Sequence, residues 1–264
     1  MCIKKLFGNH NSNTTAMQPV QARLLTFGKN KYGGGNDLNG CVNDSKNLSS
    51  DFKKLFPDAD IRMFLDSEVT ANNYKKNLSE AISTLRPGAT VVIIADSCYS
   101  QSVTRNLNGG KVVKSRFYNP GLPLRPKVRI KAFQHKGLNV IEISGSLENE
   151  TSADVFINGE YQGALTYVLR KNLKSGITYR QWYQEVVSQL PGSISDQHPQ
   201  ISGPDSLLDR IIGDGETLWC HNSSHGSWTN DTNGDEADDR DEGLYFDRLL
   251  LDDEIRPILE KIPS

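Results

Sequence analysis

Residues 90–95 read Thr90-Val91-Val92-Ile93-Ile94-Ala95, with no polar position after the first. A strand with one wet face alternates apolar and polar residues. An unbroken run rich in β-branched side chains fits instead a strand covered on both faces, as parallel strands beneath helices are. Pro87-Gly88 ends whatever precedes the run, and Asp96-Ser97-Cys98 closes it with side chains capable of chemistry. The remaining chain has to supply neighbouring strands for this one and helices for both of its faces.

It does so in alternation. Arg23-Leu24-Leu25-Thr26-Phe27 is a second apolar run, ending at Gly28. A glycine-rich stretch to Gly40 follows, and then Val42, Leu48, Phe52, Leu55 and Phe56 at helical spacing. Residues 61–65 predict a strand, and Tyr74, Leu78, Ile82 and Leu85, recurring every three or four positions, predict a helix that Arg86-Pro87-Gly88 stops. Residues 139–144 and 217–222 predict two more strands. Leu165, Val168, Leu169 and Leu173, then Tyr179, Trp182, Val186 and Leu190, form helical stripes, and a further helix is expected to end near Ile212. An acidic, turn-rich stretch covers 230–241, and a last helix starts at Asp252-Asp253, where carboxylates suit a helix N-terminus. The expected fold is α/β: a doubly wound, mostly parallel sheet flanked by helices, in one domain over 22–264. Residues 1–21, polar and without period, read as a flexible tail. Residues 105–136, basic and holding three prolines, read as a mobile loop.

Charge narrows the function classes. Thirty Lys and Arg stand against 32 Asp and Glu, a net charge of −2, which lacks the basic footprint of a nucleic-acid binder. No apolar run reaches the roughly 18 residues of a membrane span, so no membrane partner is expected. The opening Met1-Cys2-Ile3-Lys4-Lys5-Leu6-Phe7 is too short for a signal peptide. Cys2, Cys41, Cys98 and Cys220 have no C-x-x-C spacing, which fits a reducing, cytoplasmic compartment.

Cys98 follows the end of the central strand, and in doubly wound sheets the carboxyl ends of strands border the ligand crevice. A nucleophilic cysteine needs a histidine beside it. His10 lies in the tail, His135 in the basic loop and His198 in a Pro-flanked turn. His221 is inside a strand and reads as structural. His225, in Ser223-Ser224-His225-Gly226, directly follows that strand and would share the crevice with Cys98.

Three segments together resemble the signatures of the metacaspases and their bacterial relatives among the caspase-like cysteine peptidases. They are Gly33-Gly34-Gly35-Asn36-Asp37-Leu38-Asn39-Gly40-Cys41-Val42-Asn43-Asp44, Asp96-Ser97-Cys98-Tyr99-Ser100, and Ser223-Ser224-His225-Gly226. Ile143-Ser144-Gly145-Ser146, Gly163-Ala164-Leu165-Thr166 and Gln197-His198-Pro199-Gln200 appear in the family's order as well. One feature departs from the family, in which the histidine strand precedes the cysteine strand. Here His225 lies 127 residues after Cys98. Placing residues 216–264 after Gly88 would put His225 about 50 residues ahead of Cys98, the caspase spacing. The 216–264 segment therefore reads as a His-bearing block transposed to the C-terminus. Its joints, at Pro87-Gly88, at Gly213-Asp214-Gly215 and at Pro263-Ser264, all have loop character.

The resemblance implies a cysteine endopeptidase with a Cys98–His225 dyad and an oxyanion held by backbone N–H groups of Gly226 and Cys98. It also implies a pocket, for the residue before the cut bond, built from Cys41, Asp44, Asp96 and Ser223. Two carboxylates favour Arg or Lys there, so the expected partners are proteins or peptides with basic residues. Family members often cut themselves after the nucleophile strand. Lys111, Lys114 and Arg116 are the candidate positions, and Pro126 excludes Arg125. Relatives often bind calcium; Asp252 and Asp253, with Asp239 or Asp241, could belong to such a set, but Arg105 stands at a later ligand position, so no metal is assigned and no cofactor is required. The alternative is a catalytically silent caspase-like interaction module. A nucleotide site on Gly33-Gly34-Gly35 is disfavoured, because the loop has neither G-x-G-x-x-G nor a P-loop lysine.

Overall fold

The computed structural model describes residues 21–98, 114–118, 138–146, 150, 152–192, 194–230 and 240–264. In chain order the strands and helices are β1 (Ala22–Gly28), α1 (Cys41–Leu55), β2 (Asp60–Leu65), α2 (Ala71–Ile82), β3 (Thr90–Asp96), β4 (Lys114–Ser115), β5 (Val140–Ser144), β6 (Ala153–Ile157), β7 (Glu160–Gly163), α3 (Ala164–Lys171), α4 (Tyr179–Val187), β8 (Gln200–Ser202), α5 (Asp205–Leu208), β9 (Thr217–Ser223), β10 (His225–Asn230), β11 (Arg240–Tyr245), β12 (Leu249–Leu251) and α6 (Asp252–Leu259).

Among the described residues the central sheet has six strands in the order β2-β1-β9-β3-β5-β8. All its neighbours pair in parallel except β8, which runs antiparallel to β5. The C-terminal segment thus supplies the strand between the first strand and the cysteine strand: Thr217 pairs with both Ala22 and Thr90, and Ser223 with both Gly28 and Asp96. The chain forms a mixed α/β fold, and its C-terminal segment joins the same sheet beside the cysteine strand, as the sequence predicts.

The unbroken apolar runs follow from burial on both sides. Side chains alternate across a strand. Val92, Ile94 and Trp219 pack with Leu48 and Phe52 of α1, Leu165 and Leu169 of α3, and Trp182 of α4. On the other face Val91, Ile93, Leu218 and Cys220 pack with Tyr74 and Leu78 of α2 and with Ile255 and Leu259 of α6. Trp219 is fully buried, with its ring 5.1 Å from Trp182 and 5.3 Å from Phe52. Helix α6 begins with Asp252, Asp253 and Glu254 in its first turn.

Several expectations need correction. Residues 203–212 form only the one-turn α5 after Pro204, and Ile212 instead donates its N–H to the carbonyl of Ile177, so no long helix ends there. Periodicity also missed the antiparallel β10-β11-β12 and β4-β6-β7 sheets, whose strands are two to six residues long and show little alternation. Arg240 and Asp241, taken as the end of an acidic turn, open β11. Within the stretch read as a mobile basic loop, residues 114–118 are placed against β6 and β10. The rest of 105–136, except for those five, and residues 1–20 and 231–239 lie outside the described residues. No helix among the described residues is long and apolar enough to cross a membrane.

Candidate active site

β3 and β9 run side by side with Asp96 opposite Ser223, and two residues beyond that pair come Cys98 and His225. The backbones meet closely: a Cβ added at Gly226 would overlap the Cys98 carbonyl group. The His225 ring, 4% exposed, sits 4.5 Å from the Tyr32 ring. Its Nε2 lies 2.7 Å from the carbonyl oxygen of Asn36. A carbonyl can only accept, so the proton resides on Nε2 and Nδ1 carries the free lone pair. Nδ1 is buried without a hydrogen-bond partner. Burial holds the imidazole below its ordinary pKa, against the opposing pull of the Asn36 carbonyl.

The Cys98 thiol is fully buried and pushed up to about 12, mainly by burial. The Ser152 N–H donates to Sγ at 2.6 Å, and Sγ lies 3.1 Å from the Ser152 carbonyl. In this arrangement the thiol is engaged by Ser152 and is not hydrogen-bonded to His225. Such pairs often close only once substrate is in position.

Cys41, Asp44, Asp96 and Ser223 lie together, and the space among them is filled by a side chain of the protein itself. Arg116 is fully buried, with Nη2 2.7 Å from Asp44 Oδ2 and 3.1 Å from Asp154 Oδ1, and Nη1 3.2 Å from Asp96 Oδ2. Nη1 also donates to Ser223 Oγ at 2.8 Å and to the Asp96 carbonyl at 3.2 Å. Burial works against the guanidinium charge, and Asp96, Cys41, Asp44 and Asp154 overcome it, keeping the group charged. Asp44 is raised to about 6, by burial first, with Arg116 opposing. It accepts from the Gly163 N–H with both oxygens, at 2.9 and 3.0 Å, and from Ser223 Oγ at 2.8 Å. Gly163 has to be glycine, because a Cβ there would run into Arg116 and Asp96. Burial raises the Cys41 thiol, which lies beside Ser223.

A second layer fixes Asp96. Its Oδ2 accepts from the Thr166 N–H at 3.0 Å and from Thr166 Oγ1 at 2.7 Å, and its Oδ1 accepts from Ser152 Oγ. Thr166 Oγ1 also lies 3.1 Å from His221 Nε2, whose ring reaches Thr26 Oγ1 through Nδ1 at 2.9 Å. His221 is structural, as expected, and burial lowers its pKa to about 3.

The Arg116 main chain completes the arrangement. Its carbonyl oxygen accepts from the Cys98 N–H at 3.2 Å and from the Gly226 N–H at 2.8 Å, the two amides the sequence reading assigns to an oxyanion. On one side Lys114 and Ser115 pair antiparallel with Asp154 and Ala153, and on the other Phe117 bridges Gly226 in parallel. The segment crosses the crevice as an extended peptide would, with the Arg116–Phe117 bond over the Cys98 backbone.

The sequence reading missed Asp154, which also accepts from the Asn39 N–H at 2.9 Å through Oδ2. A polar Asp between Ala153 and Val155 in a short apolar strand was the available signal, since an unpaired buried carboxylate is costly. It also gave no role to Tyr32, to Asn36, which acts through its main-chain carbonyl, or to Ser152, which acts through its main chain and its hydroxyl. Of the calcium candidates, Asp252 and Asp253 begin α6 and Asp241 lies in β11, while Asp239 and Arg105 lie outside the described residues. No group of three or more His, Cys, Asp or Glu among the described residues is arranged to hold a metal ion.

No family model matches the chain. No curated protein matches it either. Among solved structures, the crystal structure of protein GSU0716 from Geobacter sulfurreducens is similar, with a TM-score of 0.50 at 15% identity, covering 72% of this chain and 97% of that one. At that identity the likeness is one of fold: a mixed α/β arrangement around a mostly parallel sheet, compatible with the caspase-like architecture.

Proposed function

We propose that this protein is a cysteine endopeptidase that cuts after Arg, and less readily after Lys, with Cys98 as nucleophile and His225 as proton carrier, and that its own Arg116–Phe117 bond is its first substrate. The observation that carries this reading is the double capture of Arg116, its guanidinium among three carboxylates and its carbonyl between the Cys98 and Gly226 amides. The pocket calls for a guanidinium, because an apolar side chain there would leave Asp44, Asp96 and Asp154 buried without a counter-charge.

The chemistry runs through few groups. His225 Nδ1 takes the thiol proton, and the sulfur attacks the Arg carbonyl carbon. The resulting oxyanion is stabilised by the two amides already aimed at that oxygen. His225 then delivers its proton to the departing Phe117 nitrogen, and water hydrolyses the acyl-enzyme. Incubating the wild type beside Cys98→Ala and measuring fragment masses tests this. A cut after Arg116 that appears only in the wild type supports the reading, and labelling of Cys98 by an arginyl chloromethyl ketone supports it independently.

A second reading, a catalytically silent interaction module, draws on the fully buried thiol, pushed up to about 12 and engaged by Ser152 instead of His225. A wild-type chain that stays intact, cleaves no Arg peptide and resists the ketone would favour it.

A further inference from the structure

The far side of the Arg116–Phe117 bond is held as deliberately as the near side. Tyr118 donates its N–H to the Gly226 carbonyl at 2.8 Å and accepts from Ser227 Oγ at 2.8 Å through its own carbonyl. Its ring lies flat on that of Tyr245, with centroids 3.7 Å apart and planes 8° from parallel. Tyr245 is itself fixed, pairing opposite His225 in the β10–β11 ladder and accepting from the Tyr32 hydroxyl at 3.1 Å through its carbonyl. Tyr32 lies beside it, 6.2 Å between centroids, and also lies against His225. An aromatic wall thus extends from the candidate dyad to the second position after the bond. The main-chain contacts of Tyr118 would hold any residue there, whereas the stacked rings select one kind.

Resting on the peptidase reading above, we infer that Tyr245 forms a subsite for an aromatic side chain two residues after the cut bond, so that the substrate class is Arg followed, at the second position beyond it, by Tyr, Phe or Trp. The two ring faces cover each other almost completely, burying aromatic area that a smaller side chain at that position would leave open. Burial and the Tyr118 hydroxyl, the first being larger, raise the Tyr245 hydroxyl to about 12, so the platform is neutral over the working pH range and does not repel an acidic neighbour.

The test compares two peptides that differ at one position, acetyl-Lys-Ser-Arg-Phe-Tyr-Asn and acetyl-Lys-Ser-Arg-Phe-Ala-Asn, cleaved by the full-length protein. The tyrosine peptide is expected to show about five- to tenfold higher kcat/KM. In Tyr245→Ala that ratio should fall to about one, and in Tyr245→Phe, which keeps the ring and the fold, it should return. Equal cleavage of the two peptides by the wild type, or a ratio that survives in Tyr245→Ala, overturns the subsite and leaves the peptidase standing. Cleavage of neither peptide, together with failure of the arginyl ketone to label Cys98, overturns the peptidase and the subsite with it.

Discussion

The Cys98 N–H donates to the carbonyl oxygen of Arg116 across 3.2 Å, so the residue read as the nucleophile already grips, by its backbone, the carbonyl its sulfur would attack. Gly226 supplies the second N–H at 2.8 Å, and it can do so because no Cβ separates its backbone from that of Cys98. Gly226→Ala should therefore open this pair of donors. The expected loss in self-cleavage rate is about a hundredfold, the range for losing one oxyanion donor, with the fold retained by circular dichroism.

Arg116→Ala should be costly to stability. It leaves Asp44, Asp96 and Asp154 buried around an empty pocket, and removing one partner of a buried ion pair typically costs about 3–5 kcal/mol. The cost should shrink on acidification. Asp44 already titrates near 6 with the guanidinium present. Without it the Asp44 carboxyl rises further above the unfolded 3.8, so the folded state binds more protons and regains stability as pH falls from about 7 towards 4. Urea titrations of both proteins at several pH values would show the gap narrowing.

Asp154→Asn removes the carboxylate that the sequence motifs did not reveal. One charged hydrogen bond to Nη2 is lost while Asp44 and Asp96 remain, so kcat/KM for Arg peptides should fall about tenfold to a hundredfold. Lys peptides should lose less. A Lys ammonium is a single point, whereas the guanidinium fork engages Asp44 and Asp154 with one nitrogen and Asp96 and Ser223 with the other. Parallel assays on Arg and Lys peptides check both directions.

Two histidines make separate pH predictions. Self-cleavage requires neutral His225 as the proton acceptor, and burial depresses its pKa, so the rate should rise with pH and reach half its plateau below pH 6.5. Rates of fragment appearance across pH 4–8 would show the midpoint. His221 bears on stability instead. Its folded pKa of about 3 lies under the unfolded 6.5, so its contribution is full above 6.5 and is lost as pH falls towards 3. Melting temperatures should drop over that window, and less steeply in His221→Asn.

Much of this architecture was legible because the same physics acts locally and globally. The Val91–Ala95 run is apolar on both faces, and its burial on both faces follows; in Thr217–Ser223 only Leu218, Trp219 and Cys220 form such a run, and the polar residues after them are buried as well. Cys98, His225 and the four pocket residues Cys41, Asp44, Asp96 and Ser223 stand at strand ends or a helix start, where short motifs specify position. What escaped depends on contacts between distant segments. Asp154 reaches Arg116 from a two-stranded hairpin with weak alternation, and the stacking of Tyr118 on Tyr245 joins residues whose sequence surroundings give no hint of each other. Residues 114–118 sit in a stretch whose composition alone argues for a loose loop; three carboxylates and two amides, none nearby in sequence, hold Arg116 in place.

The position of β9 also bears on timing. As the chain leaves the ribosome, β1, β2, β3 and β5 emerge first, and a space of about 10 Å, two interstrand spacings, must stay open between β1 and β3. Only when residues 217–223 emerge can that space be filled, and the residue that follows them into place is His225. The imidazole comes beside Cys98 only with the strand that completes the sheet, 127 residues after Cys98 itself has been made. Were the histidine strand earlier in the chain than the cysteine strand, both groups would emerge together, while the remaining polypeptide still hung unfolded beside them. On the proposed peptidase reading, the order of translation acts as a clock that keeps the thiol without its proton carrier until His225, 127 residues later, has been made.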